Sequence, residues 1–341
     1  MPLGGKVKQY CQFTRAHTVP LEAVPALVGA LLATRGQLEI AVVVWLLYGV
    51  MYHLTGYGMN SYTDYILGHD DTDPNKQHHP LNTGGMSVEE GFWIMLSLII
   101  STAILAVFAA TIGEALAITL GIVVIGVVAG FAYNLTSKST ELKPISISIA
   151  HSTVFLAPYV SIYGSIDYIA VAGFVMMMLW VLFQIGISGE LKDIETDEVN
   201  ILRDRLGYEV IEDDFTRLDG KVSILAPSAA VKVVIPSFRF IITVCFTAIA
   251  ISVSGVIVSI AVLSAGFVSI YESNRMIAVA GDRMDRIQSM SAIEILTLIM
   301  FTLSFSGVVG LDTAMLIIIA SAMWVIPMNR LLWGTWVAPD V

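Results

Sequence analysis

Charge is scarce in this 341-residue chain. Only 13% of residues are Asp, Glu, Lys or Arg, against 56% hydrophobic, and the mean hydropathy is +0.78. Soluble domains carry about 25% charged residues, so a water-soluble globule of this size would have too few to coat its surface. An integral membrane protein is expected instead. Cysteine is scarcer still: Cys11 lies in a polar stretch and Cys245 in an apolar one, which gives two free thiols and no disulfide framework. Basic residues are the minority, 18 Lys and Arg against 28 Asp and Glu for a net charge of -10, and this balance excludes a nucleic-acid footprint. Met1 to Pro20 holds no short apolar core followed by a small-residue cleavage site, so no cleaved signal peptide is expected.

What the chain does have is long apolar runs. Stretches of about 17 to 25 apolar residues suit a transmembrane helix, and they fall near 19-34, 38-57, 91-111, 115-135, 146-164, 168-188, 235-253, 256-272, 293-309 and 312-329. The expected fold is an all-α, polytopic bundle of nine or ten transmembrane helices in a single domain, 1-341. The choice between nine and ten rests on the close hairpins at Gly255 and Gly310. Pro25 and Pro158 fall inside spans, where neighbouring helices can satisfy the freed backbone groups.

Orientation follows from the Lys/Arg bias of the loops. With ten spans and the N-terminus in the cytoplasm, every Lys and Arg except Arg35 falls on the inner face, 17 of 18. The chain is thus expected to be a multi-pass protein of the cell membrane. Outer connections are a few residues long, whereas the polar segments 58-90, 136-145, 189-234 and 273-292 lie inside. Any chemistry is expected at that inner face.

Two acidic clusters stand there. The first runs Asn60-Ser-Tyr-Thr-Asp64-Tyr-Ile-Leu-Gly68-His-Asp70-Asp71-Thr-Asp73-Pro74. Asn60 and Asp64, four apart, share one helical face; Gly68 and Pro74 then break the helix, leaving Asp70 in a loop that can fold back. The second, Glu190-Leu-Lys192-Asp193-Ile-Glu195-Thr-Asp197, places Glu190, Asp193 and Asp197 on one stripe. Two such stripes repel unless a cation lies between them. Hard oxygen donors suit Mg²⁺, which commonly binds one or two carboxylates together with phosphate oxygens. Opening onto apolar helices, the pair is what an enzyme needs to hold a lipid diphosphate and make it a leaving group. The bland reading is a solvated helix end for each acidic pair and a helix cap for Asn60. His69, His78 and His79 read as solvated loop residues.

These residues resemble a known family. Asn60-x-x-x-Asp64-x-x-x-Gly68-x-Asp70, with Pro80-Leu81 ten residues on, is similar to the first motif of the UbiA superfamily of intramembrane prenyltransferases, in particular the branch that makes menaquinone. Lys192-Asp193-Ile-Glu195-Thr-Asp197 is similar to the second motif. Arg15-Ala-His-Thr-Val-Pro resembles the sequence before the family's first helix, and Tyr133, Lys138 and Lys143 fall where it carries a Tyr and a basic residue. The resemblance covers Arg15 to about Gly207. Ser61 stands where most members carry Asp, Glu190 replaces Asn or Asp, and the polar insert 208-221 has no counterpart.

The resemblance implies a bundle around a lipid-filled cavity open at the cytoplasmic face. It further implies that Asn60, Asp64, Asp70, Asp193 and Asp197, with Glu190 added, bind Mg²⁺ bridging an allylic prenyl diphosphate, Asp64 and Asp193 being central to catalysis. Arg15, Lys138, Lys143 and Lys192 would bind the diphosphate, and a lipophilic acceptor, an aromatic quinone precursor, would attack the allylic carbon. Tyr62, Tyr65 and Tyr133 are candidates for the acceptor or carbocation pocket, or else anchors in the interfacial aromatic belt. Competing readings are transfer to a glycerol-phosphate lipid or a carotenoid, a cyclase, a transporter, or an inactive lipid-binding relative. Transport needs midplane acids, whereas Glu22, Asp167, Glu294 and Asp312 read as lying near helix ends.

Overall fold

The structure, a computed structural model, describes residues 3-69, 79-136, 139-192, 194, 199-217, 220-278 and 283-336. Among them are ten helices long and apolar enough to cross a membrane, and the protein is a multi-pass helical membrane bundle. A short amphipathic helix, α1 (Leu3–Phe13), precedes a 3₁₀ turn, Ala16–Thr18, that runs into the first span, α2 (Pro20–Ala33). The next spans are α3 (Ile40–Ile66), α4 (Val88–Thr111), α5 (Leu116–Thr136), α6 (Lys143–Tyr163) and α7 (Tyr168–Phe183). The last of these continues through a π-helical segment, Gln184–Gly189, into α8 (Glu190–Lys192). After the small α9 (Ile201–Asp204) and a hairpin come α10 (Ala229–Val253), α11 (Val256–Ala278), α12 (Arg283–Ser304), α13 (Ser306–Val309) and α14 (Leu311–Trp333).

Several helices outrun their apolar stretches. The first polar residues end the hydropathic signal, but intrahelical hydrogen bonds carry α3 on to Ile66, so Asn60 and Asp64 stand on a helix wall rather than in a loop. The insert 208-221 is not an irregular loop: it forms most of an antiparallel hairpin, β1 (Glu209–Arg217) with β2 (Gly220–Ala226), which pairs Glu209 with Ala226 and is the one departure from an all-α fold among the described residues.

Packing places the site. α6 lies at the middle, against α2, α5 and α7, and α3 packs on α2. Small residues set these approaches, as they do between membrane helices generally. A methyl group added at Gly49 of α3 would lie 2.7 Å from Ala26 Cβ and 2.9 Å from the Glu22 carbonyl oxygen, so only Gly lets α3 come that near α2. α10, α11 and α12 pack together, α10 contacts α7, and α12 contacts α2, which closes the bundle into a ring. Where these meet, Phe155, Phe301, Phe305, Trp180 and Phe246 form a buried aromatic plug, the Phe155 and Phe301 rings 5.8 Å apart and edge to face. α14 clamps the N-terminal segment: Trp324 Nε1 donates to the Ala16 carbonyl at 2.8 Å and Gln12 Nε2 to that of Leu332 at 3.0 Å.

Candidate active site

One cavity runs from the polar-loop end of the bundle into its interior, and each wall contributes a stripe at helical spacing. α3 presents His53, Tyr57, Asn60 and Asp64; α6 presents Lys143, Ile147 and His151; α12 presents Ile287, Met290, Ser291 and Glu294. Arg15, Thr18 and Glu22 line it from the N-terminal side, Tyr133 and Asn134 from α5. The π segment matters because its wider turn shifts the register of the chain, and Gln184, Ser188, Glu190 and Lys192 all reach the same wall. Gly186 permits this: a methyl group there would stand 3.2 Å from Pro144 Cβ.

At the mouth, Asp64 is buried and lines the cavity with Asn60. Asn60 lies within α3 rather than at its start, and its side chain makes no hydrogen bond with a described residue, so it caps nothing. Opposite stands a buried ion pair, Lys143 Nζ 2.6 Å from Glu190 Oε1. The other Glu190 oxygen accepts from the Ile201 N–H at 2.6 Å, and Asn200 Nδ2 donates to the Glu190 carbonyl at 2.7 Å while its own oxygen caps α9. Glu190 is thus engaged by the protein itself. Arg15 adopts a left-handed backbone, φ 47°, uncommon for a residue with a side chain, and holds its guanidinium 5.3 Å from the centre of the Tyr57 ring.

Of the residues named from sequence, the structure brings Asn60, Asp64, Glu190, Arg15, Lys143, Lys192 and Tyr133 to one cavity. Tyr62 and Tyr65 do not line it: both pack against an apolar cluster of Phe13, Leu81 and Met86, because positions 62 and 65 fall off the helical stripe that 57, 60 and 64 define. Asp70, Lys138, Asp193 and Asp197 lie outside the described residues. Tyr57 and Tyr52, about one and two turns deeper than Asn60 on α3, supply aromatic walls the sequence reading leaves out.

The deeper half of the cavity is also polar, which that reading misses. Glu22 is 1% exposed, and each of its oxygens meets an imidazole: Oε2 the Nδ1 of the buried His53, and Oε1 the Nδ1 of His151 at 2.7 Å. Glu294 lines the same space from the middle of α12. The placement of Glu294 near a helix end is therefore corrected, since α12 begins ten residues before its apolar run does; Glu22 does stand in the first turn of α2, but it is enclosed there by α3 and α6. The available signal is a lone ionisable residue within or beside an apolar span, which membrane energetics makes a functional hypothesis by default.

Asn60 and Asp64 are hard oxygen donors and fit Mg²⁺ in kind, while among the described residues no group of three His, Cys, Asp or Glu is arranged to hold a metal. Acidic and basic side chains converge at the mouth of the cavity, and apolar residues such as Leu21, Ile147 and Ile185 continue its lining. The family model of the UbiA prenyltransferase family matches residues 23–204, more than half the chain, and the protein belongs to that family. Solved structures share the fold beyond that segment. One comes from work on a digeranylgeranylglyceryl phosphate synthase in membranes (16% identity, 90% of this chain and 99% of that one, TM-score 0.56). Others are a UbiA homologue from Archaeoglobus fulgidus bound to GPP and Mg²⁺ (13%, 88% and 99%, 0.56) and an apo UbiA homologue from Aeropyrum pernix K1 (15%, 90% and 96%, 0.52). No curated protein matches the sequence significantly.

Proposed function

We propose that the protein is a Mg²⁺-dependent prenyltransferase that moves a prenyl group from an allylic polyprenyl diphosphate to a lipophilic acceptor, an aromatic quinone precursor. The observation that carries this reading is the convergence of Asn60, Asp64, Arg15, Lys143 and Lys192 at one cavity mouth whose walls continue as Leu21, Ile147, Ile185 and Met290. Family membership supports the reaction type, and the homologue bound to GPP and Mg²⁺ supports the donor and the metal.

In this reading Asn60 and Asp64, joined by Asp70, Asp193 and Asp197, hold the magnesium. When bound, it neutralises diphosphate charge and improves the leaving group. Glu190 takes a different role from the metal ligand implied by its motif. With Lys143 and Ile201 on its oxygens, it fixes the Lys143 ammonium at the mouth. Arg15, Lys143 and Lys192 donate hydrogen bonds to the diphosphate oxygens, with Lys138 as a further donor. The allylic C–O bond breaks, its electron pair leaves with the diphosphate, and the aromatic faces of Tyr57 and Tyr133 stand against the developing cation. A nucleophilic carbon of the acceptor then bonds to the allylic carbon, and that ring carbon gives up its proton to the released diphosphate, which restores the aromatic ring. The mouth faces the cytoplasm, a placement supported by the Lys/Arg bias of the loops.

The likeness to the structure from the digeranylgeranylglyceryl phosphate synthase work favours a second reading, transfer to a glycerol-phosphate lipid. Purified protein incubated with Mg²⁺, a labelled prenyl diphosphate and a panel of acceptors tests both. Prenylated aromatic product supports the first reading and prenylated glycerol-phosphate lipid the second. Absence of Mg²⁺-dependent diphosphate release with every acceptor overturns both.

A further inference from the structure

Arg239 lies ten residues into α10, about 15 Å along the helix, and its side chain is wholly buried. A cation buried within a span is expensive and needs partners. Among the described residues no carboxylate pairs with it. Nε donates to the Ser269 hydroxyl of α11, Nη2 donates to the Thr297 hydroxyl of α12, and Nη1 makes no hydrogen bond. Where a counter-charge would be expected stands an aromatic face. The guanidinium carbon is 5.2 Å from the centre of the Phe183 ring, and the ring of Phe238, the residue before Arg239, is 5.8 Å from the same centre. α10 thus grips the buried Phe183 with two successive side chains.

Phe183 is the last residue of α7 before the π-helical segment Gln184–Gly189. Such a turn is rare, and an uncommon winding persists where the surrounding contacts impose it. At its start α10 holds Phe183. At its middle Pro144 Cβ stands 3.2 Å from where a methyl group on Gly186 would lie, and near its end the Ser188 hydroxyl donates to the Met276 sulfur at 3.8 Å. The first contact is the one built with a charge. A hydrocarbon side chain would fill the space beside Phe183 without selecting which way its ring faces, whereas a desolvated guanidinium selects the ring face. From this we propose that Arg239 is a positioning residue for the π segment: by clasping Phe183 it fixes where the wide winding begins, and so the bearing at which Gly189, Glu190 and Lys192 meet the cavity wall. The same six residues wound as α-helix would turn the chain about 100° further, and each residue at the end of the segment would take the bearing its successor has now. The link to turnover, through Lys192 and the diphosphate, rests on the prenyltransferase reading; the winding itself does not.

Cysteine labelling reads that winding. Full-length protein in detergent, carrying Cys11→Ser and Cys245→Ala, receives either Gly189→Cys or Ser188→Cys and is treated with a small water-soluble methanethiosulfonate. Gly189 borders the cavity, is partly exposed, and a Cβ there meets nothing closer than 3.6 Å, whereas Ser188 is buried. Position 189 is therefore expected to react at least tenfold faster than 188. Arg239→Met should move the faster reaction from 189 to 188, and Arg239→Lys, which keeps a cation over the ring, should preserve the original order. Phe183→Leu removes the ring, should reproduce the Arg239→Met pattern, and supplies the reading if Arg239→Met does not fold. With Cys11 and Cys245 restored and no cysteine added, the KM for prenyl diphosphate should rise at least tenfold in Arg239→Met and stay within twofold in Arg239→Lys. Labelling that keeps 189 ahead of 188 in both Arg239→Met and Phe183→Leu overturns the positioning role, as does Arg239→Lys behaving like Arg239→Met. A shift in labelling in a protein that releases no diphosphate from any donor would instead remove the transferase reading and leave the positioning role standing.

Discussion

The two ends of the cavity solve the problem of buried charge in opposite ways. At depth, Glu22 meets an imidazole on each oxygen, His53 and His151, both delivered by neighbouring helices of the same bundle. At the mouth, Lys143 is matched by Glu190, and Asp64 and Asn60 bring further oxygens to the space between the helices. On the proposed reading the mouth is the end that recruits ions. The difference teaches that polarity inside a membrane protein marks a site in two distinct forms, and that only the second depends on what is dissolved outside.

Substitutions can break this contrast end by end. The largest effect is expected for Asp64→Asn at the mouth. Turnover should fall by at least about a hundredfold, no less than loss of an outer partner of a metal site costs, with the melting temperature unchanged. Lys143→Met strips the buried Glu190 of its cation and should cost about 3 kcal/mol, the scale for removing one member of a buried pair. Thermal melting in detergent measures this, and adding Glu190→Gln should recover most of the loss. At depth, Glu22→Gln should raise the acceptor KM about tenfold, close to 1.4 kcal/mol, while leaving the donor KM unaltered. If the donor KM moves equally, the two ends are one site and the contrast fails. The smallest effect is expected for Tyr62→Phe, which packs outside the cavity and should change turnover less than twofold, the range of substitutions away from critical contacts.

The mouth was legible in the sequence because its chemistry is periodic. Asn60 and Asp64 stand at i and i+4, and that spacing alone assigns them a common face. The ten spans were legible for a related reason, since hydrocarbon thickness sets a helix length that composition reveals. Depth was not legible. Glu22, His53, His151 and Glu294 come from four different helices, and no spacing along the chain relates them; only the packing of α3 and α6 on α2, tightened at Gly49, brings three of them together. Tyr62 shows the converse failure. Its aromatic ring made it a candidate for the carbocation pocket, but it stands two residues from Asn60, about 200° around the helix. For Glu190 the motif implies a metal ligand, and the structure adds a partner the motif does not reveal, because Lys143 arrives from a helix nearly fifty residues earlier.

The widened turn at Gln184–Gly189 gives the bundle an unusual vulnerability to length rather than to composition. Excising a single residue from it would restore ordinary winding and, since about six π-helical residues turn the chain as far as five α-helical ones, leave Lys192 and the carboxylate two places before it near their present bearing. The loss would fall on the segment itself, where a side chain that now reaches the cavity, such as that of Gln184 or Ser188, would be displaced.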